Sequence, residues 1–186
     1  MIAIAVLLSV VAASSAAPGS CPSVTTTYLP DLTKAMGLWW RPFRSQFNSE
    51  EAIFKCLSTE WSELEGKRFK VVDNNQLADD GQKIKWNGFI TAQADPADWA
   101  IEFDESANNM KVSAQVLDFI EDEYMFMYVC VPHPETNTHD ENGIIFTRQK
   151  NVRPDQMRRY EGRAARAMRR NRLQHISMLP IDLKDC

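Results

Sequence analysis

The chain has 186 residues, 44% of them hydrophobic, and a formal net charge of −4. That length suits one domain with a substantial core. No segment is long and apolar enough to span a bilayer as a helix, which excludes a helical membrane protein.

The N-terminus opens on an uncharged apolar run (Ile2, Ile4, Val6, Leu7, Leu8, Val10, Val11) that ends in small residues, Ala12 to Ala17. This is the pattern of a secretory signal peptide, about half the length of a membrane span. Pro18 disfavours a cut directly after Ala17, so cleavage is expected after Ala16. The leader is residues 1–16, and a single domain occupies residues 17–186. The expected location is extracellular. Cys21, Cys56, Cys130 and Cys186 all lie beyond the cut. An even count in an exported chain predicts two disulfides, for which three connectivities are open. Their wide spacing argues against zinc. No N-x-Ser/Thr sequon occurs, so N-glycosylation is not expected.

Short strands then follow at nearly regular spacing. Residues 39–43 form the first. In the second, Leu57, Thr59 and Trp61 alternate with Ser58, Glu60 and Ser62, the period of a half-buried strand. After a turn at Gly66 comes a third strand over 69–72. Asp73-Asn74-Asn75 and Asp79-Asp80-Gly81 read as turns. Ile84, Trp86, Gly88 and Ile90 share one face of a fourth strand, and Trp99, Ile101 and Phe103 one face of a fifth. Residues 111–117, 124–131 and 143–148 supply three more. Eight sequential antiparallel strands leave exposed edges unless they close, and closure gives a barrel able to hold one small ligand. The predicted class is mainly β: an eight-stranded antiparallel up-and-down barrel with one C-terminal α-helix packed outside. Residues 124–129 are apolar on both faces, as a strand covered by that helix requires.

The helix starts at Pro154, where Met157, Tyr160, Ala164, Ala167 and Met168 recur at spacings of three and four. Residues 153–172 hold eight arginines against Asp155 and Glu161, a surplus of six positive charges, so the remainder carries −10. A mildly acidic body thus bears one basic stripe. The apolar side of the helix is modest and suits docking on a barrel better than insertion in lipid. Neither nucleic acid nor stable membrane insertion is expected. Association with the acidic barrel of a second copy is the partner reading left open. The loop over 132–142 holds His133 and His139 beside Glu135, Asp140 and Glu141. It reads as a solvated loop, and no metal site is predicted. His175 has no evident partner. Catalytic signatures are missing (no G-x-S-x-G, H-E-x-x-H, C-x-x-C or phosphate-binding glycine loop), and Glu121, Asp122 and Glu123 are consecutive, as in an exposed turn. No enzyme is expected.

Gly37-Leu38-Trp39-Trp40 resembles the G-x-W signature that opens the first strand of lipocalins, and Thr147-Arg148 resembles that family's last-strand Ser/Thr-Arg. The phrase from Cys56 to Ser62 and the spacing of residues 116–130 are similar to the apolipoprotein D, bilin-binding and crustacyanin-like branch. Order and spacing agree over nearly the whole domain. The family's middle Thr-Asp-Tyr falls here on Phe119-Ile120-Glu121, which implies an atypical turn between the sixth and seventh strands. The resemblance implies disulfides Cys21–Cys130 and Cys56–Cys186. It also implies that Arg148 packs over Trp39 beneath the barrel floor. In the family register Thr59, Trp61, Val71, Trp86 and Ile90 face inward. The same register adds Trp99, Ile101, Phe103, Val116, Met125, Met127, Ile144 and Phe146. Such a lining suits a bilin, carotenoid, retinoid, sterol or fatty acid, with no cofactor required. Trp86 and Trp99 are the expected ligand contacts. The function implied is a secreted carrier of a small hydrophobic ligand. The alternative is an interaction protein with a filled barrel, acting through its mouth loops or its arginine helix.

Overall fold

The computed structural model describes residues 16–29, 32–45, 54–65 and 68–186. Apart from Ala16, the expected leader lies outside the described residues. All eight expected strands are present and each is longer than its sequence signal: β2 (Gly37–Ser45), β3 (Phe54–Glu65), β4 (Arg68–Leu77), β5 (Lys83–Ala92), β6 (Asp98–Phe103), β7 (Lys111–Ile120), β8 (Tyr124–His133) and β9 (Thr138–Thr147). Each pairs antiparallel with the next, and β9 returns to β2 through Trp40↔Thr147, Phe43↔Ile145 and Arg44↔Ile144. The sheet is therefore a closed barrel.

Two short strands escape sequence patterning. β1 (Ala17–Pro18) lies on β9, Ala17 opposite His139. β10 (Met178–Pro180) lies on β2, Leu179 opposite Arg44. Pairing of β2 with β3 stops at Trp40↔Ser58. Beyond that point the C-terminal segment takes the place of β3: Ile181 donates its N–H to Pro42, and Cys56 donates to Asp182. The two disulfides are Cys21–Cys130 and Cys56–Cys186, so each terminal segment is stapled to the barrel wall.

The helix α1 (Pro154–Arg170) packs outside, burying Tyr160, Ala164 and Ala167. Opposite it lie Leu117, Tyr124, Phe126, Tyr128 and Ile145. This explains the two apolar faces of β8: Met125 and Met127 join the interior cluster, while Tyr124, Phe126 and Tyr128 lie under the helix. Tyr160 stacks on Tyr124 with ring centroids 4.8 Å apart. Two arginines of the basic stripe fasten α1 to β7. Arg163 makes a two-pronged bond to the Asp118 carboxylate, and Arg170 donates to the Leu117 carbonyl at 2.8 Å.

Two expectations are corrected. Asp73, Asn74 and Asn75 are not a turn; they continue β4, which runs to Leu77. Asp and Asn disfavour strands, but Asp73 and Asn75 point inward and are held by Arg41. Tertiary bonding overrides local preference. Residues 132–142 are not a long loop either. β8 and β9 extend to His133 and from Thr138, leaving a tight hairpin turn whose Asn137 has φ +52°.

Candidate functional site

One end of the barrel is shut. The 3₁₀ turn Leu32–Ala35 crosses it, with Leu32 and Ala35 buried. Trp39 is fully buried there and donates its indole N–H to the Ala35 carbonyl at 2.7 Å. The Arg148 guanidinium carbon stands 3.9 Å from the Trp39 ring centroid, and its Nη1 donates to the Leu38 carbonyl. Burial at this contact lowers the Arg148 pKa from its ordinary value. Gly37 has φ +95°, and a Cβ there would meet Arg148 Nη1 at 3.0 Å. The glycine of the G-x-W phrase is thus required both by its backbone and by the arginine.

Above this floor is a cavity. Its volume is about 90 Å³, and it opens to solvent. Nine of the thirteen expected lining residues line it: Thr59, Trp61, Val71, Trp86, Ile101, Phe103, Met127, Ile144 and Phe146. The other four, Ile90, Trp99, Val116 and Met125, belong to the same buried cluster but do not line the cavity. Trp99, expected beside Trp86 as a ligand contact, instead meets Trp61 edge-on at 5.3 Å and donates to the Pro96 carbonyl. Trp86 is partly exposed and edge-on to Phe54 and Phe103, at 5.8 and 6.4 Å.

The lining also contains residues that sequence reasoning missed: Arg41, Asp73, Met110, Val112, Val129, Val131 and Asn142. Arg41 and Asp73 are 6% and 8% exposed, and Arg41 Nη1 lies 3.3 Å from Asp73 Oδ2. Asp73 Oδ1 accepts the Thr59 hydroxyl at 2.6 Å, and Arg41 Nη2 donates to Asn75 Oδ1 at 2.9 Å. Asn142 accepts from Ser45 Oγ. Strand parity carried this information. Arg41 shares parity with Trp39, and Asp73 and Asn75 share it with Val71. The polarity of Asp73 and Asn75 argued for a turn instead.

The histidines at the rim are engaged in structure. His139 is buried with Nδ1 on the Gly19 carbonyl at 2.9 Å. His133 pairs with Asp140 at 2.7 Å. His175 finds a partner that sequence does not suggest, Glu141 at 2.5 Å, and Tyr128 donates to the same carboxylate. No metal-holding group of His, Cys, Asp or Glu occurs among the described residues.

No protein-family model matches the chain, and no curated protein matches it in sequence. Solved structures do. The chain is similar to lobster apocrustacyanin A1 (21% identity, 90% of each chain, TM-score 0.68). It is also similar to insecticyanin from the tobacco hornworm Manduca sexta (18% identity, 91% of this chain and 89% of that one, TM-score 0.68). A third is the cockroach allergen Per a 4 (16% identity, 87% and 94%, TM-score 0.63). A closed eight-stranded barrel, one helix outside it and an arginine over the G-x-W tryptophan coincide with these likenesses. The chain has the lipocalin fold.

Proposed function

We propose that this protein is a secreted, non-enzymatic carrier that binds a small hydrophobic molecule inside its barrel, a pigment such as a bilin or carotenoid, or else a retinoid, sterol or fatty acid. The observation that carries this reading is the cavity itself: an apolar, tryptophan- and methionine-bearing space, closed below by Trp39 and Arg148 and open above. Two long-range disulfides, and an apolar leader over residues 1–16, support secretion. No described helix is long and apolar enough to cross a membrane.

Binding would act by exclusion of water. Burying about 400 Å² of ligand apolar surface is worth up to ~10 kcal/mol gross at 25 cal/mol per Å². Association and ordering costs reduce that to a micromolar-to-nanomolar affinity. The expected contacts are the nine shared lining residues, with Trp86 foremost because it is large and partly exposed at the cavity wall.

The test is tryptophan fluorescence of the exported, oxidised protein during titration with biliverdin, retinol, a carotenoid and a fatty acid. Saturable quenching at submicromolar concentration by any of them supports the carrier. A folded protein that none of them quenches overturns it in favour of a filled scaffold acting through its surface.

A further inference from the structure

Outside one surface, arginine stands in this chain where its planar head has a partner. Residues 153–172 hold eight arginines and no lysine, whereas the rest of the chain has nine lysines and four arginines. Those four are committed: Arg41 pairs with Asp73, Arg148 covers Trp39, Arg68 covers the Phe89 ring at 4.1 Å, and Arg44 is buried. On α1, Arg163 and Arg170 follow the same habit, bound to Asp118 and to the Leu117 carbonyl. Arg158, Arg159, Arg166 and Arg169 do not, and neither does Arg172 just past the helix. All five are exposed, and none makes an ion pair or a side-chain hydrogen bond among the described residues.

The four on the helix share one face, opposite the buried Tyr160, Ala164 and Ala167. Helical geometry puts them within an arc of about 100°, with Arg158 and Arg169 about 16 Å apart along the axis. Asp155, in the first turn and 3.7 Å from Arg153, is the acid that shares the arc. Gly162 lies in its middle. A Cβ there would meet only Arg166 Nη1, at 3.8 Å, so packing does not demand a glycine. Like charges at these spacings and a glycine in a helix interior both weaken a helix. The fold uses neither, but a ligand lying along the face uses both. The glycine admits a close approach, and each guanidinium fork can hold an oxyanion by two hydrogen bonds where a lysine offers a point charge.

We infer that this face of α1 docks a linear sulfated polysaccharide, its sulfates gripped by Arg158, Arg159, Arg166 and Arg169. The site lies apart from the barrel cavity and shares with the carrier reading only the extracellular setting. Charge decides the class of partner: the surplus of six positive charges over residues 153–172, against −10 on the remainder, concentrates attraction for a polyanion on this one stripe. A lipid surface fits less well, because the large apolar side chains of the helix pack on the barrel and the arc holds none to insert. Nucleic acid would find no aromatic ring among these arginines on which to stack a base. A second copy in two-fold pairing would set arginines against arginines.

The experiment is surface plasmon resonance of the exported, oxidised chain at physiological salt against heparin, hyaluronan (carboxylates without sulfate), duplex DNA and phosphatidylserine vesicles. Heparin is expected to bind about tenfold or more tightly than the other three, and to weaken as salt rises. Changing Arg158, Arg159, Arg166 and Arg169 together to Gln should reduce heparin affinity about tenfold or more. Changing the same four to Lys keeps the charge, loses the forks and should reduce it several-fold. A control with Lys70, Lys83, Lys85 and Lys184 changed to Gln removes four positive charges from other exposed sites and should leave affinity nearly unchanged. No heparin binding, equal or tighter binding of another probe, full affinity in the lysine variant, or equal losses in the glutamine variant and its control each overturn the inference, while the carrier reading stands. Should the glutamine variant fail to fold by circular dichroism, the probe ranking and the lysine variant decide.

Discussion

Arg148 lies flat against Trp39, its guanidinium carbon 3.9 Å from the ring centroid, and joins the last barrel strand to the first. It also donates to the Leu38 and Lys34 carbonyls. A cation–π contact of this kind is worth about 0.5–2 kcal/mol, and the hydrogen bonds add to it. Arg148→Ala is expected to cost about 2 kcal/mol in urea unfolding with little change in ligand affinity. Arg148→Lys should recover less than half of that, because an ammonium cannot cover the ring and span both carbonyls.

The Arg41–Asp73 pair makes a sharper stability prediction. Removing one partner of a buried ion pair leaves an uncompensated charge, at a cost of about 3–5 kcal/mol. Asp73→Ala should therefore be strongly destabilising. The double variant Arg41→Met with Asp73→Leu should be less destabilised than Asp73→Ala alone. Denaturant midpoints of the two variants check the ordering, and an equal or larger loss in the double variant would count against it.

Trp86 and Trp99, alike in sequence, should respond differently. Trp86 lines the cavity and Trp99 does not. Trp86→Ala is expected to weaken ligand binding about tenfold with a modest stability loss. Trp99→Ala opens a hole in the lower core and should cost about 3–5 kcal/mol. Quenching titrations and thermal melts on both variants separate the two roles.

The disulfides close long loops, with sequence separations of 109 and 130 residues. Loss of either, as Cys21→Ser with Cys130→Ser or Cys56→Ser with Cys186→Ser, should cost about 2–5 kcal/mol. Without Cys56–Cys186 the segment after β10 loses its covalent anchor, so limited proteolysis should attack the C-terminus first.

Burial raises the pKa of Tyr124, Tyr128 and Tyr160 above the ordinary tyrosine value. At Tyr128 the Glu141 carboxylate adds to the effect, at Tyr124 Asp118 does, and at Tyr160 Glu123 does, while Gln156 opposes it there. The folded state then holds these protons more tightly than the unfolded chain. Their contribution is fully present below about pH 10, the unfolded value, and is lost as pH rises through the folded values. Stability should fall with increasing slope above pH 10. A flat stability profile from pH 9 to 11.5, measured in urea, would contradict it.

How much of this was legible beforehand follows from the kind of signal each part left. The two-residue alternation in β3, β5 and β6 marked inward faces, and every residue nominated from it is buried or partly buried. The helix was visible in the spacing of Tyr160, Ala164 and Ala167. The pairing of four cysteines had three solutions by count, and the resemblance of residues 56–62 and 116–130 to one lipocalin branch implied the one observed. Asp73 and Asn75 were misread because local preference favours turns at such residues, whereas their conformation is set by Arg41, 32 and 34 positions away.

The sequence by itself determined that strands alternate, that those of the barrel are eight, that a helix follows, and that the chain suits an oxidising compartment. These are short-range patterns, written in neighbours two to four residues apart. Only the tertiary structure decided which inward residues border open space and which fill the floor, that the C-terminal segment replaces β3 beside β2, and that a buried Arg41–Asp73 ion pair lines the cavity. Those facts depend on distances between strands far apart in the chain. Periodicity records which way a side chain points, and cannot record what stands opposite it.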